Sequence, residues 1–468
     1  MPVITLMLNT CRSEETRMRR DEPAGEAATT DALARWIASI DDRAVSPAAF
    51  EWARHALLDW LAVTVAARDE PLVGMLFDEY ADADGPCTVV GRRQGLRALD
   101  AALVNGAAGH ALDYDDVAAR MVGHPTVPVA PAALAEAESL GADGRALLRA
   151  IVVGHQIESE IGSAMGQSHY ARGFHVTGTV GTFGAAAACA NLRRLDAPTT
   201  RHALGLAAAQ AAGLKSMFGT MAKPLHAGKA AMNGALAARL AARGFTANDS
   251  AIECPQGFID TQAPEPGPPV AAVDTSAGFA IERTLFKYHA ACYLTHSTIE
   301  AVRRLRTDHG VSLDDLESMT VSVAGNQRGV CDIEDPRSGL AVKFSIKHLA
   351  ALALDGADTA SLGLYDDATA RDERIGAARR RVELETARRP DRDVAVVTLT
   401  TRDGRRLEAS ANVAVPATDP AAQWTRLVDK ARSIAVPVMG EARFERMVEA
   451  VRELERAPDL ASLTETLR

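Results

Sequence analysis

The run GTFGAAAACANLRRL at residues 181–195 decides the fold class. Alanine is the best helix former, and side chains this small let neighbouring helix axes approach closely. A β-sandwich leans instead on aromatic and β-branched residues, which this text lacks. Comparable runs flank it on both sides, namely RALLRAIVVGHQIESEIGSAMG (145–166), RHALGLAAAQAAGL (201–214) and HAGKAAMNGALAARLAARG (226–244). Asp143 is placed to cap the first of these. Further upstream, Ser46 caps, Pro47 suits a first turn, and Phe50, Ala53, Leu57 and Leu61 mark one face of a helix that continues through HALLDWLAVTVAA (55–67). One large helical domain is predicted.

The pattern breaks at QAPEPGPPVAAVD (262–274), where four prolines interrupt any helix and mark a linker. Alternating strand-like text follows in MTVSVAG (319–325) and DVAVVTLTTRDGRRLEASANVAV (393–415), the latter two strands joined around Asp403-Gly404. Helix returns in WTRLVDKARSIAV and RFERMVEAVREL, which are expected to pack back on the first domain. The predicted fold class is therefore mainly α, a large all-helical domain plus a smaller α+β domain. Its parts are a disordered leader over 1–29, a discontinuous helical domain over 30–270 and 416–468, and the α+β domain over 271–415.

Composition narrows the function. Lys plus Arg number 51 against 61 Asp plus Glu, a net charge of -10, so there is no basic excess of the kind that binds nucleic acid. Any anionic ligand must meet a local cationic pocket. The six cysteines, Cys11, Cys87, Cys189, Cys254, Cys292 and Cys331, include no C-x-x-C pair, so no zinc ribbon or clustered iron-sulfur motif is written here. The first residues place an apolar run before the charges, the reverse of a signal peptide, and no apolar stretch is long enough to span a bilayer. A cytoplasmic protein without a membrane partner is expected.

No nucleotide-binding fingerprint is present; GTVGTFG (178–184) has the wrong spacing and no strand in front. Histidines and lysines in turn-like text stand out instead. NGAAGHALDYDDVAARMVGHPTVPVAPA carries His110, Asp113, Asp116 and His124, with His110 and Asp113 on one face if the helix continues. The bland assignment there is a capping Asp113 and a core His110. His175 stands at a Thr-Gly helix entry. Lys223, His226 and Lys229 concentrate positive charge at a helix start, against the macrodipole preference, which suggests an expected anion. His289 and His296 follow the linker, and Lys343, Lys347 and His348 enter an apolar helix. Such a set fits proton transfer on a multiply anionic small molecule: imidazoles move the proton, and ammoniums hold the carboxylates on which charge builds.

Taken in order, HALDYDD and GHPT, GFHVTGTVGTFGAAAA, MFGTMAKPLHAGKAAMNG, KYHAACYLTHSTIEA and KFSIKHLAALALDG resemble the hallmark segments of the MmgE/PrpD family, over roughly residues 30 to 415. That family includes 2-methylcitrate dehydratase, cis-aconitate decarboxylase and iminodisuccinate epimerase. The resemblance implies a large all-helical domain plus a smaller α+β lid domain, a homodimer, and an interdomain active site with no metal and no organic cofactor. It also implies five site residues: Asp113, His124, His175, Lys223 and, from the lid, His296. Lys223, His226, Lys347 and His348 are expected to bind substrate, and His175 to act as acid or base. The family often has Thr where this chain has Val117, Tyr where it reads Lys347-His348, and Pro where it has Ala290.

The function expected is a cofactor-independent lyase of dehydratase or decarboxylase type, acting on a small di- or tricarboxylate by α-proton transfer. An epimerase of an amino- or imino-dicarboxylate begins with the same abstraction and stays open. The readings from other classes are a metal-dependent hydrolase built on His110, Asp113, Asp116 and His124, and a catalytically silent relative.

Overall fold

The computed structural model describes residues 29–82, 84–386 and 393–468. The expected leader lies outside the described residues except for Thr29. This residue is buried, opens helix α1 (Thr29–Ser39), and accepts a 3.1 Å hydrogen bond from the Val270 N–H through its hydroxyl.

The helical part continues as α2 (Pro47–Ala66), α3 (Pro71–Tyr80), α4 (Ala98–Ala111), α5 (Thr126–Leu140), α6 (Gly144–Ala171), α7 (Val176–Leu192), α8 (Ala197–Ala208) and α9 (Ala222–Ala241). Two starts follow directly from capping chemistry. Ser46 Oγ accepts from the Ala49 N–H at 3.0 Å, and the Asp143 carboxylate accepts from the Ala146 N–H at 2.7 Å. Each satisfies a first-turn donor that has no partner within the helix. Helix α7, the Ala-rich run, is buried along its whole length and packs against α5, α6, α8 and α9.

Small residues also set how closely α4 and α9 cross. A Cβ added at Gly228 would stand 2.3 Å from the Leu103 carbonyl oxygen, and one at Gly106 would stand 2.8 Å from the Gly228 Cα. Only glycine permits this approach, which brings the start of α9 to the end of α4.

After Ala263 the proline-rich text runs without a long helix until α10 (His296–His309). Along this path Leu285 exchanges two backbone hydrogen bonds with Val117, at 2.8 and 2.9 Å. A four-stranded sheet follows, built from β1 (Leu316–Val323), β2 (Val382–Thr386), β3 (Val394–Thr401) and β4 (Arg406–Asn412) in the order β2-β1-β3-β4. β1 pairs parallel with β2 (Met319 opposite Val382) and antiparallel with β3 (Val321 opposite Val397). The β3–β4 hairpin turns at Gly404, whose φ of +88° suits a residue without a side chain. On β3, Ala395, Val397, Leu399 and Thr401 are buried, the period of two that a half-covered strand requires. Helices α10 and α11 (Ile346–Asp355) supply the other side of that core through Ile299, Val302, Leu305 and Leu349.

The chain then forms α12 (Pro420–Met439), which packs against α2, and α13 (Glu441–Glu453). Among the described residues there are two hydrophobic cores. One joins residues from Leu33 to Ala290 with Leu427 to Leu467; the other runs from Ala291 to Ala411. Among the described residues no helix is long and apolar enough to cross a membrane.

Candidate active site

Helix α4 ends at Ala111, and Asp113 follows with φ +53°, a left-handed conformation uncommon for a side-chain-bearing residue. The helix therefore does not carry Asp113 on the His110 face as its spacing suggests. The turn instead aims successive carboxylates in different directions. Asp113 receives the Lys223 ammonium at 2.5 Å and that of Lys287 at 3.3 Å, and Lys287 also donates to the Asp113 carbonyl oxygen at 2.6 Å. Burial alone would raise the Asp113 carboxyl, but the two ammoniums override it and hold the group well below the usual carboxylate range. The fully buried Lys287 is kept above its ordinary value by Asp113 and Asp115 despite the opposing effect of burial.

Asp115 turns inward and accepts from His110 Nδ1 at 2.8 Å, with His124 Nδ1 3.2 Å away. Burial pushes the His110 imidazole down to about 4, so at neutral pH it is an uncharged ring donating Nδ1–H to the carboxylate. Its ring lies edge-on to His124 at 4.6 Å and stacked near His175 at 5.6 Å. His175 sits at the N-terminal cap of α7, with its Nδ1 3.0 Å from His226 Nδ1. Burial, followed by the neighbouring His110 imidazole and Lys223 ammonium, drives His175 well below an ordinary imidazole, and burial also lowers His226.

Asp113, His124, His175, Lys223 and Lys287 line a cavity of about 250 Å³. Phe218, Leu285, Leu294, Val330 and Phe344 supply much of its apolar wall, and Val117 faces it where the family often has a hydroxyl. Four of the five expected site residues are thus brought together, with His226 behind His175.

Three expected residues are elsewhere. His296 is buried on the other side of the 285–295 segment, donates from Nε2 to the Ala291 carbonyl at 3.2 Å, and borders a separate cavity of about 430 Å³ with His289, Glu300 and Arg426. Lys347 reaches outward to Glu334 at 2.6 Å. His348 is buried in the sheet core, where burial lowers it to about 4. Both follow from α11 presenting its Leu349 face to the sheet and neither face to the cavity. The replacement of the family's Tyr by Lys347-His348 consequently leaves the cavity lining untouched.

The residues missed by sequence reasoning are Asp115, Lys287 and Cys292, whereas Lys343, singled out there with Lys347 and His348, is the one of those three that turns toward the site. Lys343 is buried, donates to the Leu112 carbonyl at 3.1 Å, and is lowered to about 8 by burial. A signal for Lys287 was present: a lysine inside the apolar text TLFKYHAACYL must find a partner if that segment is buried.

His110, Asp113, Asp115 and His124 also present possible metal-ligand atoms within 4.8 Å of one another. Both carboxylates are already engaged, Asp113 by two ammoniums and Asp115 by an imidazole N–H, so a cation entering there must displace positive partners. Asp116, which the hydrolase reading required, faces away: its carboxylate accepts from the Thr126 hydroxyl at 2.5 Å, and burial raises it well above the usual range.

The sequence itself matches two family models, the MmgE/PrpD N-terminal domain over residues 31–270 and the MmgE/PrpD C-terminal domain over residues 289–456. The chain belongs to the MmgE/PrpD family. Among curated relatives, the cis-aconitate decarboxylase of Aspergillus terreus is 26% identical, over 97% of this chain and 98% of that protein. A cis-aconitate decarboxylase-like protein of Aspergillus oryzae is 30% identical over 61% of this chain and 63% of its own length. Human cis-aconitate decarboxylase is 35% identical over 34% of each chain. Family and relatives together support an enzyme of dehydratase or decarboxylase type.

Proposed function

We propose that this protein is a lyase that removes carbon dioxide or water from a small di- or tricarboxylate, without a metal or organic cofactor, with cis-aconitate the first substrate to test. The observation that carries the reading is the convergence of Lys223, Lys287, His124 and His175 on one small cavity with apolar walls. Lys223, Lys287 and His124 receive substrate carboxylates, Asp113 fixes the two lysines, and His175 exchanges the proton with carbon. The depressed pKa of His175 suits it to act first as a base. In a decarboxylation no proton is removed first: the electrons of the breaking carbon–carboxylate bond move into the adjacent unsaturated system, and a proton drawn from solvent passes through His175 to carbon as carbon dioxide leaves. A carboxylate held against Phe218 and Phe344 is poorly hydrated, which favours loss of its charge as carbon dioxide.

The same reading makes 30–270 with 416–468 one body, 271–415 a lid, and the active species a cytoplasmic homodimer. Light scattering that reports a monomer at micromolar concentration removes the dimer. Incubation with cis-aconitate, 2-methylcitrate and iminodisuccinate, followed by mass spectrometry, tests the activity. Turnover of none of the three overturns the lyase assignment, and racemisation without loss of mass converts it to an epimerase.

A further inference from the structure

The wall of the candidate active cavity contains a pair of thiols that the proposed reaction does not use. Cys292 lines the cavity and begins the turn before α10; Cys331 ends the short helix Gly325–Cys331, whose Val330 lines the same cavity. The helix that Cys331 ends packs against the turn that Cys292 begins, which makes the two thiols neighbours. They come from segments 39 residues apart, both packed in the core of the sheet region. The other described cysteines lie in different settings. Cys87 faces Ser139 and the Ala135 carbonyl, Cys189 faces the Ala132 carbonyl, and Cys254 faces Asn248.

We propose that Cys292 and Cys331 form a peroxide-sensitive dithiol, and that their oxidation to a disulfide deforms the cavity wall and shuts down the enzyme reversibly. Two features divide the roles. Cys292 opens onto the cavity, where a peroxide can reach it and where the Lys287 ammonium favours a thiolate. Cys331 is fully buried and held well above an ordinary thiol, so it waits as the resolving thiol. The Cys292 thiolate attacks a peroxide oxygen, the O–O bond breaks, and sulfenic acid and hydroxide result. The Cys331 sulfur then attacks the sulfenyl sulfur, its proton leaves with the hydroxyl as water, and the S–S bond forms. The dithiol has lost two electrons and the peroxide has gained them.

Closing the bond brings the two sulfurs to about 2.05 Å. It draws the Leu294 side of the wall toward Val330 and pulls on the segment that carries Lys287 five residues earlier. Displacements on the order of 1 Å at a reacting site cost up to about 100-fold in rate.

The test treats the whole protein with hydrogen peroxide and maps its peptides by mass spectrometry, then measures turnover before and after dithiothreitol. A peptide joining Cys292 to Cys331, two hydrogens lighter than its parts, is expected, with turnover down about tenfold or more and restored by the reductant. In Cys331→Ser the joined peptide is absent, Cys292 proceeds to sulfinic acid, and reductant restores nothing. Oxidised Cys292 without the joined peptide in the wild-type chain overturns the proposal, as does a joined peptide with turnover unchanged. The turnover arm rests on the lyase reading. The peptide arm does not, so failure of the substrate assignment and failure of the dithiol are distinguishable.

Discussion

Lys287 Nζ lies 2.6 Å from the carbonyl oxygen of Asp113 and 3.3 Å from its carboxylate, so one buried ammonium fixes both ends of a residue held at φ +53°. This grip keeps the left-handed turn closed and leaves the other carboxylate oxygen to Lys223. Lys287→Met removes charge-assisted bonds of roughly 1.5–3 kcal/mol, so kcat/KM is expected to fall about 10- to 150-fold. A variant with unchanged kcat/KM on a confirmed substrate shows that the grip is dispensable.

Lys223 and His175 have different jobs, and their variants separate them. Lys223→Ala is expected to act mainly through KM, because a carboxylate loses its ammonium. His175→Gln is expected to keep affinity while kcat drops about 10²- to 10⁴-fold. Near wild-type kcat in His175→Gln moves the proton-transfer role to His124, whose Nε2 is 3.8 Å from Asp113.

The helical frame was legible because its signals are local: Ser46 and Asp143 cap where they stand, the Ala-rich runs are buried helices, and Gly404 turns the hairpin. Strand β2 was not, since VELET is only five residues long and sits at the sheet edge. The site was half legible. His124, His175 and Lys223 lie in glycine- and proline-marked turns that project side chains inward. The division of labour between Asp113, Asp115 and Asp116 depends on one positive φ that no glycine announces. His296 misled because the segment before it runs between two cavities: Lys287 and Cys292 to Leu294 line the first, and Tyr288, His289 and His296 line the second.

Helix α12 reaches the site from far along the chain. Lys430 donates to Asp59 on α2 at 2.6 Å and to the Tyr114 carbonyl oxygen, beside Asp113, at 2.8 Å. Lys430→Met strands a buried carboxylate and is expected to destabilise the fold by about 3–5 kcal/mol in denaturant titrations. Asp59→Leu combined with Lys430→Met removes both charges and recovers much of that loss. Equal losses in the single and double variants refute the pairing argument.

Lys347 and Val117 make opposite predictions. Lys347 pairs with a largely exposed Glu334, and such contacts are worth about 0–1 kcal/mol, so Lys347→Ala leaves stability and kcat/KM nearly unchanged. Val117→Thr places a hydroxyl in the cavity and alters which substrates turn over. A substrate profile that shifts with Lys347→Ala and not with Val117→Thr reverses this assignment.

Acid should unfold this protein through its buried imidazoles. Burial lowers His55, His110 and His348 to about 4 and His155 to about 3, whereas an unfolded histidine titrates near 6.5. Between those values the unfolded chain binds protons that the folded chain refuses, so stability rises with pH across the window and is lost as pH falls from about 6.5 toward 4. Each such imidazole adds a slope approaching 1.4 kcal/mol per pH unit, about one proton's worth. Asp116 and Glu158 act in the opposite sense. Burial raises both, so they keep their protons more readily in the folded chain, and their share of stability is lost as pH rises. The imidazoles outnumber them, and the net slope below pH 6.5 is expected to be positive. Denaturant titrations at several pH values measure it directly. His155→Gln, which retains a partner for the Thr126 hydroxyl 2.9 Å away, should flatten the slope by close to one proton. A stability that stays level or climbs on acidification through this window contradicts the buried neutral imidazoles.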